Sequence, residues 1–329
     1  MAWFQEDENE EQYIMSVITK FGYKNYTGSY LSRSYRIWQI CLFNLKERIW
    51  NQKSVQSIYI ILFFLSLIVI IPLVVISSST AGTGPNGPIT FLQSILLSSG
   101  IDLITFFSNM YGLIIFSLLS NPLTFILFGF IGGKVVSEDI EYKTLEQYFT
   151  RVRKTDYLLG KFLALFLSYF GSMIILAFMF YYFLCSTVNY GLFEIDPLVV
   201  FVKIILYVFI ITLTLTLFML AISAATEKKN YASLIFILIL LIIGDVFKVF
   251  NTFFHSDLYL LFNPQEVMLV LLKGLISFTD SLNNFIFIIA INPGSLNTTV
   301  TFPEALGLVS AVSIVSFIYL IRRIRTIWS

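Results

Sequence analysis

The sequence predicts an all-α integral membrane protein. It has six transmembrane helices, an N-terminal interfacial amphipathic helix, and an outer re-entrant helix pair between helices 5 and 6. Three observations predict this class. Apolar runs near 20 residues recur along the chain, the length at which an α-helix crosses lipid while satisfying its own backbone groups. Charged residues make up 12% of the chain against 57% hydrophobic, where a soluble domain carries about 25% charged. Lysine and arginine also gather on one side of the topology that the apolar runs define.

Residues 1–30 are polar and predict a cytoplasmic tail. Its start is acidic (Glu6, Asp7, Glu8, Glu10, Glu11), the opposite of a signal peptide, so the first span is expected to stay as an anchor. Residues 31–53 predict the interfacial helix: Trp38, Leu42, Leu45 and Ile49 recur at helical spacing, with Arg36, Gln39 and Lys46 elsewhere on the wheel. An ordinary basic flank before a span is the plainer reading of the same residues. The domain from 54 to 329 then carries the spans.

Ile58–Ile76 is the first span, closed by Ser77-Ser78-Ser79 and a turn-rich loop. Residues 89–108 are apolar but interrupted by Ser98, Ser99, Gly100 and Asp102, which predicts a short surface helix. The second span is Met110–Ile131, and Asn121-Pro122 in its middle predicts a kink. The third is Leu158–Leu184, the fourth Leu198–Ala221 and the fifth Tyr231–Phe250, with a tight turn at 226–230. Within the outer segment 252–303, Val267–Ile276 and Phe285–Ile291 are each too short to cross and predict the re-entrant pair. The last span, Ala305–Ile321, runs straight into Arg322, Arg323 and Arg325.

With the amino terminus inside, all of the 21 lysines and arginines except Lys203, Lys248 and Lys273 fall on the cytoplasmic side. A single crossing by 267–291 would put the terminal arginines outside. Both termini are therefore expected in the cytoplasm of a multi-pass plasma-membrane protein. The four tryptophans (Trp3, Trp38, Trp50, Trp328) fall on that side too, as interfacial anchors do. Cys41 and Cys185 come out at opposite faces and are not expected to bridge.

Nothing in the chain assembles a catalytic constellation, so it reads as a non-catalytic subunit that binds no cofactor itself. The single histidine, His255, rules out a histidine-rich metal site or a histidine triad within the membrane. Gly133-Lys134 and Gly160-Lys161 are not phosphate-binding loops: Phe128 occupies the first glycine position, and Val135 and Phe162 follow the lysines. A net charge of +1 argues against nucleic acid. Asp245 and Lys248, three apart, read as a self-satisfied pair near the end of the fifth span. Ser117, Ser120, Asn121, Thr124, Thr212 and Thr216 are candidate pathway-lining groups, although such groups more commonly bond between helices or to their own backbone.

The stretch from Gly132 to Phe162 carries the most information. Ser137 reads as a helix cap, with Glu138, Asp139 and Glu141 in the first turn and Asp139–Lys143 as an i,i+4 pair. Tyr142, Leu145 and Phe149 form a stripe, Arg151, Arg153 and Lys154 a basic turn, and Thr155 or Asp156 caps the third span. This connection, the loop 134–157, is far longer than the ~2–8 residues that would join two bundle helices. It is suited to docking a soluble partner.

These residues resemble the signature of ABC-2 type permeases, the membrane subunits of one class of ATP-binding-cassette transporters. Glu138 matches the family's loop glutamate, and Thr144-Leu145-Glu146 match its Thr-Leu-Glu. Arg153 or Lys154 stands in for the turn arginine, and Leu159-Gly160-Lys161 match the Leu-Gly-Lys that opens the third span. Lys143 replaces the family's glycine, and the turn proline is missing. The resemblance implies a pair of six-span subunits, as a homo- or heterodimer, each above a separate ATPase that binds ATP and Mg. Coupling to that ATPase would fall on Glu138, Tyr142, Thr144, Leu145, Glu146, Arg151, Arg153, Lys154, Gly160 and Lys161. Export of drugs, peptides, lipids or glycans is the expected activity. A non-transporting membrane scaffold, or a secondary transporter or channel, are the rival readings.

Overall fold

The computed structural model describes residues 32–64 except 54, then 103–142, 152–188, 194–226, 228–254, 257–276 and 300–326. The chain divides into two compact units, Met1–Arg36 and Ile37–Ser329. In the first, the Tyr35 N–H donates to Ser32 Oγ at 3.4 Å, which starts a helix. No strand occurs among the described residues.

Among the described residues, ten α-helices carry the fold: α1 Arg33–Phe43, α2 Val55–Phe64, α3 Leu103–Leu119, α4 Pro122–Glu141, α5 Lys154–Val188, α6 Ile195–Ala225, α7 Lys229–Leu238, α8 Gly244–Phe254, α9 Pro264–Ile276 and α10 Phe302–Thr326. A π-helical stretch, Asn44–Trp50, prolongs α1, and another, Ile239–Ile243, joins α7 to α8. Among the described residues, four helices are long and apolar enough to cross a membrane: α5, α6, the continuous α7–α8 and α10. The bent pair α3–α4 makes a fifth if counted as one span. Most of the predicted first span lies outside the described residues; α2 is its beginning. Of the predicted re-entrant pair, α9 is described and Phe285–Ile291 is not.

The Asn-Pro pair breaks the second predicted span outright, with α3 and α4 meeting at 50°. Pro122 sits at the first helical position, where its missing N–H costs nothing. Asn121 Oδ1 caps α4 by accepting from the Leu123 N–H at 2.9 Å. Thr124 Oγ1 donates back across the break to the Leu118 carbonyl at 2.6 Å, satisfying a group that the lost helix would have left open. Two expectations change. Residues 103–108 are the first turns of α3 rather than part of a surface helix, and α4 runs on to Glu141 rather than stopping at Ile131.

α6 is the hub, lying against α3, α4, α5, α7, α9 and α10. Close approach to α4 depends on glycine. A Cβ at Gly133 would fall 2.9 Å from the Ser233 backbone nitrogen of α7, and one at Gly129 2.9 Å from Ile237 Cγ1. At Gly132 a Cβ would run into Met219 of α6 and lie 2.6 Å from the Tyr169 hydroxyl of α5. Ser223 of α6 uses the space so opened. Its Oγ accepts from the Val136 and Ser137 N–H groups at 3.2 and 3.0 Å and donates to the Gly133 carbonyl at 3.2 Å. Packing of this kind suits helices in lipid, where small residues replace the hydrophobic drive of water.

Replacing Gly133 by alanine should therefore cost about 1–3 kcal/mol as an overpacked contact. Gly171 of α5 has nothing within 4 Å of its would-be Cβ, so Gly171→Ala should be neutral or stabilising. Thermal unfolding of the two variants in detergent separates packing from helix propensity.

Candidate functional site

α4 and α5 carry the two ends of the charged stretch, and the π-helical stretch after α1 packs against both. Gly160 explains the close approach: a Cβ there would lie 2.6 Å from Ile40 Cγ2 and 3.1 Å from the Ile37 carbonyl oxygen. With that notch filled by α1, the next residue, Lys161, is only 2% exposed. Its ammonium has three protons to place. It donates to the Val135 carbonyl of α4 at 2.7 Å and to Asn44 Oδ1 at 2.8 Å, and it pairs with Asp139 Oδ2 at 2.8 Å. The Tyr157 hydroxyl, one turn earlier on α5, donates to the same carboxylate oxygen at 2.6 Å. The Lys161 ammonium also sits 5.3 Å from the Tyr157 ring centroid.

Isolated, either buried charge would cost several kcal/mol of lost hydration. Full use of the ammonium's donors offsets that cost. The acids also sit at the unfavourable end of the helix dipole, because Glu138, Asp139 and Glu141 close α4 rather than open a new helix. The Lys161 cation offsets that too. Ser137 is accordingly not a cap: it lies inside α4 and its hydroxyl donates to the Gly133 carbonyl one turn back. Asp139 turns to Lys161, and its expected partner Lys143 lies outside the described residues.

The expected stripe of α1 also changes. Trp38 and Leu42 are exposed, while Cys41, Asn44 and Ile49 are buried. Asn44 and Ile49, five apart, share a face because the π-helical stretch has i→i+5 periodicity. Asn44 is held in turn by its own Nδ2, which donates to the Ile40 carbonyl at 2.6 Å. Just beyond, Lys134 of α4 donates to Gln52 Oε1 at 3.2 Å. Burial pushes the Cys41 thiol up, so it is a packing residue rather than a nucleophile.

The residues expected to couple to an ATPase fall into three groups. Tyr142, Arg153 and Lys154 are exposed, and Glu138 half-buried, at the two helix ends. Gly160 and Lys161 are buried and touch helices instead of presenting a surface. Thr144, Leu145, Glu146 and Arg151 lie outside the described residues. Thr155 and Asp156 sit inside the first turn of α5, which begins at Lys154. Reading the sequence alone missed Asn44 and Tyr157, and did not pair Asp139 with Lys161. An amide on a helix otherwise apolar toward its neighbour was the available signal for Asn44.

The candidate pathway hydroxyls return to backbone. Ser117 donates to Ile114 at 2.8 Å, Thr212 to Val208 at 2.7 Å and Thr216 to Thr212 at 2.6 Å, each within its own helix. Thr124 and Asn121 serve the α3–α4 break, and Ser120 lies in it, half-buried. Asp245 is exposed and Lys248 reaches Glu266 of α9 instead, at 3.9 Å.

Removing one partner of the buried pair, by Lys161→Met or Asp139→Leu, should cost about 3–5 kcal/mol. The double variant should recover most of that loss, because no uncompensated charge remains. Thermal midpoints of the four proteins in detergent measure the coupling. A maleimide should label Cys41 only after unfolding.

No family model matches the chain and no curated protein matches it.

Proposed function

We propose that the chain is the transmembrane permease subunit of an ATP-binding-cassette exporter, driven by a separate ATPase subunit that docks on the connection between α4 and α5. That connection is shorter than the expected 134–157, because α4 runs to Glu141 and α5 starts at Lys154. The observation that carries this reading is the buried Lys161 junction. It fastens the π-helical stretch after α1 to α4 and α5 at one point, near the ends from which the connection leaves and to which it returns. A push on the loop then moves both helices and α1 together instead of being absorbed by slack. In this reading the exposed Tyr142, Arg153 and Lys154 and the half-buried Glu138 would meet the ATPase, and the buried Gly160 and Lys161 would act as positioning residues.

In this reading the chain makes six crossings, with both termini cytoplasmic in the plasma membrane. Trp38, Leu42 and Trp50 lie in the lipid interface, where amphipathic rings reside. α9 is the first half of an outer re-entrant pair. A second permease subunit stands alongside, ATP and Mg belong to the partner ATPase, and substrate moves between the subunits. Hydroxyls returned to their own backbones leave little support for a polar pathway through a single chain, as a secondary transporter or channel would need.

Charge reversal at the loop is the test. Glu138→Lys, or Arg153→Glu with Lys154→Glu, should abolish co-purification with an ATPase encoded beside this chain while leaving the thermal midpoint in place. Unchanged association and unchanged ATP hydrolysis would remove the coupling assignment. Binding without any transport would favour the scaffold. In a glycosylating host, Asn297 of Asn297-Thr298-Thr299 should be modified and Asn25 should not.

A further inference from the structure

Asn263-Pro264-Gln265-Glu266 opens α9 with an amide N-cap, a proline at the first position and an acid at the third. Half of the capping arrangement is made: Asn263 Oδ1 accepts from the Gln265 N–H at 3.1 Å. The other half is not. A glutamate at this position ordinarily returns to the N-cap N–H. Here the Asn263 N–H is already given to the Leu260 carbonyl at 3.1 Å, in the 3₁₀ turn Asp257–Phe262. Stacking of Phe262 on Phe247 of α8, with ring centroids 5.2 Å apart, holds that turn beside α8.

Glu266 is therefore a buried carboxyl that does no capping. It is 7% exposed, its Oε1 lies 3.9 Å from Lys248 Nζ, and its Oε2 makes no hydrogen bond among the described residues. A separation of 3.9 Å is too long for a hydrogen bond. Lys248 instead donates to Gln265 Oε1 at 3.4 Å. Asn263 Nδ2, on the N-cap three residues before Glu266, is also buried without a hydrogen bond among the described residues.

We propose that Glu266 is a proton-binding site that governs the contact between α8 and α9. With the proton bound, the start of α9 is neutral and Lys248 is left to Gln265. With the proton lost, the carboxylate draws Lys248 in and ties the end of α8 to α9. Two charged groups act on the carboxyl, Lys248 from α8 and Lys273 two turns along α9. Among the other elements packed on α9, the 3₁₀ turn, α3, α6 and α10, none brings a charge that acts on it. Glu304 at the start of α10 accepts from the Thr301 N–H at 2.8 Å instead. Burial raises the proton affinity of Glu266 above that of an ordinary carboxyl, and the two lysines oppose it.

Because the raised group is costly when ionised, its contribution to stability is present at low pH and lost as pH rises through its titration. The purified full chain in detergent should show a thermal midpoint that falls as pH rises through the titration of this carboxyl, above the ordinary carboxylate range. Glu266→Gln should remove that part of the dependence and raise the midpoint at the upper end. In a pH-difference infrared spectrum, a neutral-carboxyl carbonyl band should grow on acidification and be missing from Glu266→Gln. Lys248→Met should shift the band's titration upward by about one pH unit, a tenfold change in proton affinity. An unchanged band in Glu266→Gln, or an unmoved titration in Lys248→Met, overturns the site. The second variant keeps the test decisive if the first does not fold, and neither result depends on an ATPase.

Discussion

One buried ammonium holds three helices in register. Lys161 is hidden from water and gives its protons to Val135, Asn44 and Asp139. Such a charge persists inside a protein only if nearly every hydrogen bond lost to water is replaced. That requirement fixes its neighbours. The residue before it must be small so that α1 can approach, α1 must bring an acceptor, and α4 must bring an acid. Gly160, Asn44 and Asp139 meet those three demands. The long loop thus leaves α4 and returns to α5 at two points whose separation is set by a single side chain.

The same economy of polar groups runs through the bundle. Ser223 serves three backbone groups of α4, and Tyr111 of α3 donates to the Ala177 carbonyl of α5 at 2.9 Å. Tyr169 of α5 donates to the Phe128 carbonyl while its ring stacks on Phe128, 3.9 Å between centroids. Ser313 of α10 meets Thr214 of α6 at 3.0 Å. These contacts join helices whose facing sides are otherwise apolar. They give the packing a unique register that hydrophobic contact alone would leave loose. Glu266 departs from this pattern, as do the Tyr207 hydroxyl and the Asn263 amide, each with a buried polar atom that has no hydrogen bond among the described residues.

Hydropathy made the long helices legible: α5, α6, the α7–α8 rod and α10 each contain the apolar run read from sequence, lengthened at the ends. Asn121-Pro122 announced the break because proline's missing N–H acts locally. What sequence could not give was direction. A helical wheel assumes 3.6 residues per turn, so the π-helical stretch after Phe43 moved Asn44 and Ile49 onto a face that the wheel split. The acids after Ser137 look like a helix start, and only the continuation of α4 makes them an end. Lys161 looked like a surface residue because its partners lie 22 to 117 positions away in the chain. The same reason hid Glu266, whose lysine sits on another helix. Local pattern predicts elements; long-range pairing of charges appears only in the fold.

The proposal that the chain receives mechanical work from an ATPase partner rests on the joined ends of α4 and α5. The most direct measurement is ATP hydrolysis by the neighbouring ATPase in proteoliposomes, with and without this chain. The account predicts that the chain binds and alters the rate, and that Asp139→Leu with Lys161→Met, folded but unfastened, binds the ATPase yet loses the effect. A chain that moves its substrate without ATP, or an ATPase indifferent to its presence, would contradict it.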